Sequence, residues 1–353
     1  MSIVIEKSNI NYSGILNVGD LNILILTNNK IYLDFLVQYT SPYYTLDKNV
    51  QSNSHNMHLT VTLLSEEPYY FGHIKKDVQK YNLQRIVAVH FNESAKVYEH
   101  EDHEYYVYQN TQHLIEKKKD SNDITIIPNP NAQDKEYLAM RIIRNFVEYH
   151  WVNNNFLNLH AATVTVRNKG IILCGNGGAG KTSTMLSLLK YESAKYISND
   201  RSFFTYRNNK ILIKGTPYSI NVFMEDLKNL GLDLQDLRHY QHEEWEEYKK
   251  GKRTLSHKEL IKLFNATIEP ECYVNRIIIL DSDEELKNRW IKISQNEAID
   301  KLTPFFRETP FVNFLNFNVI VKSKEKPMFP ENTEFILIGK FDDMKEKVAV
   351  IAN

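Results

Sequence analysis

The sequence predicts an α/β protein in two parts, a mostly β amino-terminal domain over residues 1–125 and a second domain over 134–353 built on a strand, a glycine-rich turn and a helix. Three observations carry this. Short apolar runs rich in Val, Ile, Tyr and Thr recur through the first 125 residues, as strands that bury one face do. An apolar stripe at Tyr137, Leu138, Met140, Ile142, Ile143, Phe146, Val147 and Tyr149 follows the helical period. An apolar run at 170–174 stops at a cluster of glycines and is followed by a helical run at 183–191 with Met185, Leu186, Leu188 and Leu189 on one side.

In chain order, strands are expected at 21–26, 31–37, 58–64, 84–90 and 105–108. The segment 117–131 joins a charged run to Asn, Asp, Pro128 and Pro130, and reads as the connector. After the helix around 137–149, strands are expected at 157–166 and 170–174, at 195–197 and 202–206 around Asn199-Asp200-Arg201, at 211–214, and at 276–281. The charged stretch 223–263, broken at Gly231 and Gly251, reads as helical, as does 298–306; 318–321 and 335–338 read as strands.

The bulk composition excludes several classes. With 353 residues and 42% hydrophobic content the chain buries a full core without dense disulfides. Its 43 basic and 44 acidic side chains leave a net charge of -1, so no global field draws nucleic acid or an anionic membrane. Cys174 and Cys272 fit neither a disulfide framework nor a zinc cluster, and the expected compartment is the reducing cytoplasm. Neither a signal peptide nor a run of 18 apolar residues is found, so a soluble protein is expected.

Gly175-Asn176-Gly177-Gly178-Ala179-Gly180-Lys181-Thr182 satisfies G-x-x-x-x-G-K-[ST] between a strand and a helix. A chain of this length and composition meets the pattern by chance on the order of once in a few hundred. Glycines let backbone N–H groups converge on phosphate oxygens, and the helix amino terminus adds its dipole. The expected ligand is ATP with Mg2+, held by residues 175–183 including Ser183, with Lys181 on the β- and γ-phosphates and Thr182 on the metal. The motif names a nucleotide and leaves the reaction open.

The residues around it are more specific. Leu159-His160-Ala161-Ala162, the stretch 170–186, Ile197-Ser198-Asn199-Asp200-Arg201, and Ile213-Lys214-Gly215 with Ile220-Asn221-Val222 together resemble the catalytic domain of HPr kinase/phosphorylase, a bacterial protein-serine kinase family related in fold to phosphoenolpyruvate carboxykinase. The resemblance covers roughly residues 137–222. It implies a P-loop domain of HPr-kinase/PEP-carboxykinase type and an ATP-dependent kinase acting on a hydroxyl, Ser or Thr of a peptide or small protein, including peptide-tailoring kinases. It also implies a homo-oligomer. By position, Lys181 and Thr182 bind phosphates and metal, Asp200 assists the metal, and His160 joins Asp200 and Lys181 as a catalytic residue. The family's general base is an aspartate where this chain has Asn199, and an amide cannot accept the proton; Asp200 is the carboxylate left to serve.

Alternatives stay open at several positions. His160 fits the site or a core histidine bonded to backbone. Lys214 stands where the family has arginine, or is a solvated strand end. Arg307 is a candidate for the basic residue that the family brings to the phosphates, or a surface arginine. Asp281 ends a strand of Walker B form, or caps a turn. The run 248–262, with Lys249, Lys250, Lys252, Arg253, His257 and Lys258, is a lid, a dock for an acidic peptide, or half of a solvated hairpin with His242-Glu243-Glu244-Trp245-Glu246-Glu247. His55, His58, His100, His103 and His113 lack metal-ligand spacing. Beside the kinase stand two other functions: a non-catalytic ATP-binding protein whose nucleotide orders a partner surface, and a small-metabolite kinase.

Overall fold

A computed structural model describes residues 10–48, 57–65, 67–90, 93–232, 252–307, 315 and 329–353. By contacts the chain divides into two compact units, the first running through Asn154 and the second beginning at Asn155. Helix 135–153 falls in the first of these units.

The first unit contains β1 (Tyr12–Val18), β2 (Leu21–Thr27), α1 (Lys30–Thr40), β3 (Thr45–Asp47), β4 (Leu59–Leu63), α2 (Pro68–Val78), β5 (Asn82–His90), β6 (Glu93–His100), β7 (His103–Tyr108), β8 (Leu114–Lys118), β9 (Asp123–Ile127) and α3 (Lys135–Asn153). Its sheet runs β3-β1-β2-β4-β9-β8-β7-β6-β5. The segment read as a strand at 31–37 is instead α1: Asn29 caps it by accepting from the Ile31 N–H at 3.0 Å, and Tyr32, Leu33, Leu36, Tyr39 and Thr40 are buried at helical spacing. β2, β4 and β9 are parallel neighbours. The expected connector 117–131 thus holds a central strand, because Ile124, Ile126 and Ile127 bury where the polar run ends. The unit is mixed α/β.

One polar clasp ties β8 to α3. Asp134 accepts from Arg141 Nη1 at 2.7 Å and pairs with His113 Nε2 at 3.1 Å, while the Asn129 N–H donates to His113 Nδ1 at 3.0 Å. Burial works against the ionised Asp134, but the His113 hydrogen bond and the Arg141 charge prevail and hold its carboxyl at about 2.

The second unit contains β10 (Leu157–Leu159), β11 (Ala161–Val166), β12 (Lys169–Gly175), α4 (Lys181–Tyr191), β13 (Lys195–Ser198), β14 (Ser202–Arg207), β15 (Lys210–Lys214), β16 (Ile220–Phe223), α5 (Met224–Asn229), β17 (Lys252–Leu255), α6 (His257–Phe264), β18 (Glu271–Leu280), β19 (Trp290–Lys292), α7 (Gln295–Leu302), β20 (Phe306–Arg307), β21 (Glu334–Ile338) and α8 (Met344–Ala352). Its sheet runs β13-β11-β12-β18-β15-β14-β10-β20, with β21 paired to β18 and β19 to β21. β18 lies parallel to both β12 and β21, which brings three strand ends together at one edge. Ile172, Cys174, Ile277, Ile279 and Leu337 point to one face and form a core with Ala298 and Leu302 of α7. On α4 the apolar stripe Met185, Leu186, Leu188 and Leu189 is buried, and the helix packs on β11, β12 and α8.

The strand expected at 157–166 is two strands. His160 lies at the break, where β10 pairs with β14 and β20 while β11 pairs with β12 and β13. In the stretch read as helical at 223–263, α5 and α6 flank the strand β17; residues 233–251, and the strand expected at 318–321, lie outside the described residues. Among the described residues no helix is long and apolar enough to cross a membrane.

The Asp134 clasp gives a test. A carboxyl held below its ordinary value contributes stability that is present above that value and lost as pH falls through about 2. Asp134→Asn is expected to lower stability at neutral pH by about 2 kcal/mol, with the gap from the unaltered protein closing in acid. Urea unfolding across a pH series checks this.

Candidate functional site

The loop owes its shape to three glycines. Gly175 ends β12 opposite Leu280 of β18, with φ +148, and a Cβ there would stand 2.6 Å from the Leu280 carbonyl oxygen. No side chain fits that approach. Gly178 and Gly180 take φ +87 and +88, the left-handed region open to glycine. At Gly177 and Gly178 a Cβ would meet nothing within 4 Å, so the loop's crest faces open space. Gly180 precedes α4 without a side-chain cap, and the first helical bond shown is from the Thr184 N–H to the Gly180 carbonyl at 2.8 Å. The N–H groups of the first turn are thereby left for a ligand.

Side chains of the same turn are already aimed. Lys181 Nζ donates to the carbonyls of Gly175 at 2.7 Å and Asn176 at 3.1 Å, holding its charge against the loop. Burial lowers its pKa, the nearby Asp200 and Cys174 oppose that, and Arg307 adds to it. Thr182 Oγ1 donates to Asn199 Oδ1 at 3.3 Å, and Ser183 Oγ donates to Asp226 Oδ2 on α5 at 2.8 Å.

A second group converges from strands distant in sequence. Asn199, buried, and Asp200, exposed, follow β13; Asp200 has φ +67, which turns the chain before β14. His160 Nε2 stands 2.8 Å from Asp200 Oδ1, and Arg307 Nη1 is 3.7 Å from Asp200 Oδ2. The His160 backbone is fixed by its N–H to the Phe305 carbonyl at 2.8 Å, and Arg307 by the pairing of β20 with β10. Desolvation opposes the Asp200 charge, but the hydrogen bond from His160 and the positive charge of Arg307 and Arg201 hold the carboxyl at about 2. Beneath them Ser198, Ser202 and Thr163 form a buried hydroxyl chain, with oxygens 2.7 and 2.8 Å apart, and the buried Arg201 guanidinium lies over the Tyr218 ring at 4.8 Å.

The structure therefore gathers Lys181, Thr182, Asn199, Asp200 and His160 at the open end of the loop. His160 is paired with the acid and not with core backbone through its ring. With its carboxyl held well below the ordinary value, Asp200 is a weak proton acceptor in this arrangement. Arg307 is not a free surface residue but faces Asp200. Lys214 points elsewhere, its ammonium over the Phe156 ring at 5.4 Å. Asp281 accepts from the Asp283 N–H at 3.2 Å, as a turn-capping residue does. Lys252 lies over Phe223 at 4.3 Å and His257 is buried on α6; Lys249, Lys250 and 242–247 lie outside the described residues, as does His55. Among the described residues no group of three or more His, Cys, Asp or Glu is clustered to hold a metal by itself. Asp226 was missed because nothing in its own stretch marks it; it joins the site only through the fold.

No family model matches the chain, and no curated protein is similar to it. Among solved structures it is similar to one described as the Hpr(Ser) kinase/phosphatase from Coxiella burnetii, with 16% sequence identity and a TM-score of 0.25, over 36% of this chain and 67% of that chain. That likeness is distant, and the functional reading stands on the geometry of the site itself.

Gly175→Ala is expected to destabilise the protein by about 1–3 kcal/mol, because the added methyl collides with backbone at an unfavourable φ. Gly177→Ala, with open space, should cost less than about 1 kcal/mol. Thermal melts of the two variants separate these outcomes.

Proposed function

We propose that the chain is an ATP-dependent phosphotransferase that phosphorylates a hydroxyl, Ser or Thr of a peptide or small protein. The observation that carries this is the convergence of a glycine loop and Lys181 with the His160–Asp200 pair and Arg307 on one open edge. Backbone N–H groups of 176–178 and 180–183, together with Lys181, suit the phosphates, the Ala179 N–H being bonded to the Asn176 carbonyl. Thr182 Oγ1 gives its hydrogen to Asn199, and Asp200 Oδ2, 3.7 Å from the Arg307 guanidinium, is the carboxylate oxygen that His160 does not use; these two oxygens would hold a magnesium ion. Held there, the metal would supply positive charge against the phosphates.

In the reaction the substrate hydroxyl oxygen bonds to the γ-phosphorus as the bond from that phosphorus to the bridging oxygen breaks, and ADP leaves with the electron pair. The hydroxyl proton goes to His160. Ionised Asp200 accepts the Nε2 hydrogen, which fixes the ring and leaves Nδ1 as the acceptor. Histidine thus takes over from the carboxylate that Asn199 replaces. Arg307 offsets charge building on the transferred group.

One observation favours a second reading. Asn199 is buried and bonded to Thr182, where an acid would accept a proton; a protein that only binds ATP to order a partner surface would tolerate this. A small-metabolite kinase would use the same machinery.

Three variants with γ-labelled ATP and peptides encoded by neighbouring genes separate these functions. Lys181→Ala is expected to lose nucleotide binding. His160→Gln and Asp200→Asn should keep binding and lose transfer by about 100-fold or more, read by mass spectrometry as added phosphate. Undiminished transfer by both would remove the roles assigned to the pair, and ATP binding without transfer by the unaltered protein would favour the non-catalytic reading.

A further inference from the structure

In the second unit a cavity of about 750 Å³ opens at the carboxy-terminal ends of β18 and β21. We propose that it receives the nucleoside half of the nucleotide, purine and ribose, whose phosphates occupy the glycine loop; this rests on the phosphate-loop reading above. Three independent features lead there.

The first is position. The glycine loop leaves the end of β12, and β18 is its parallel neighbour in the sheet. Leu280 faces Gly175 across the parallel pair, and the next residue, Asp281, begins the cavity wall. Ligands of α/β sheets gather at such carboxy-terminal strand ends.

The second is chemistry. Leu286, Ile291 and Leu337 supply apolar wall for a purine face. Arg289 also lines the cavity, and among the described residues its guanidinium has no ion-pair partner, which leaves it available to stack on a base. Asp281 and Asp283 present carboxylates suited to ribose hydroxyls or an exocyclic amine. Four acids stand against three cations, Lys287, Arg289 and Lys301, around the cavity, so it carries no net positive charge to hold phosphates, which fall to Lys181.

The third is rigidity. The Gly339 N–H donates to the Arg289 carbonyl at 3.1 Å, the Asn288 N–H to the Lys340 carbonyl at 2.8 Å, and the Asn288 side chain joins Asp342 in both directions at 3.0 and 2.9 Å. A Cβ on Gly339 would stand 1.9 Å from the Leu286 carbonyl oxygen, so the wall and the end of β21 are in backbone contact. The cavity is preformed, as small-molecule sites commonly are.

Ile291→Trp fills the cavity from an edge strand where the native side chain is already 44% exposed, so the fold tolerates it; Arg289→Ala removes the stacking group. Calorimetry with ATP-Mg and with inorganic tripolyphosphate-Mg tests the proposal, with circular dichroism confirming the fold. Both variants are expected to bind ATP about tenfold or more weakly and tripolyphosphate as the unaltered protein does. ATP affinities within twofold of the unaltered protein in both variants, while Lys181→Ala loses both ligands, would overturn the nucleoside placement alone. If Lys181→Ala still bound ATP and tripolyphosphate normally, the phosphate-loop reading and this placement would fall together.

Discussion

Gly175 and Leu280 approach so closely that only a hydrogen fits between the glycine α-carbon and the carbonyl opposite. That contact closes the parallel pair of β12 and β18 at the same height. On one side it releases the chain into the turn that leads to α4; on the other it places Asp281 at the mouth of a cavity. The glycine loop and the adjoining cavity both start from it. A parallel pair buried on both faces is stiff, which suits the proposed nucleotide site.

Charge is distributed along this edge in a consistent order. Lys181 and the first turn of α4 supply positive potential at the loop, Arg307 adds a cation beside Asp200, and past Leu280 acids and bases mix around the cavity. Phosphoryl transfer draws most of its acceleration from positioning and neutralisation of charge, and those are the properties the edge provides. The proposed route for the hydroxyl proton is the His160–Asp200 pair, 2.8 Å apart.

Contiguity explains what the sequence disclosed. The glycine loop was legible because all its residues and both flanking elements lie in one short stretch, and β2, β4, β5 and β7 because their apolar runs meet no competing pattern. Residues 31–37 were misread as a strand because a short apolar run fits both periods; Asn29, as a helix cap, was the overlooked signal. β9 was hidden by the charged run before it and the prolines after it. At the site, His160 and Asp200 were named separately, but their pairing depends on a strand break at His160 that no local residue announces. Arg307 reaches Asp200 through the pairing of β20 with β10, and Asp226 reaches Ser183 through α5; both are consequences of tertiary assembly, to which local sequence is blind.

Backbone hydrogen exchange in the presence and absence of saturating ATP-Mg tests the central claim most directly, because the loop's free N–H groups are the proposed ligands of the phosphates. Slowed exchange is predicted across 176–183 and around 199–201. Unchanged exchange through the loop at saturating ATP-Mg would contradict the account.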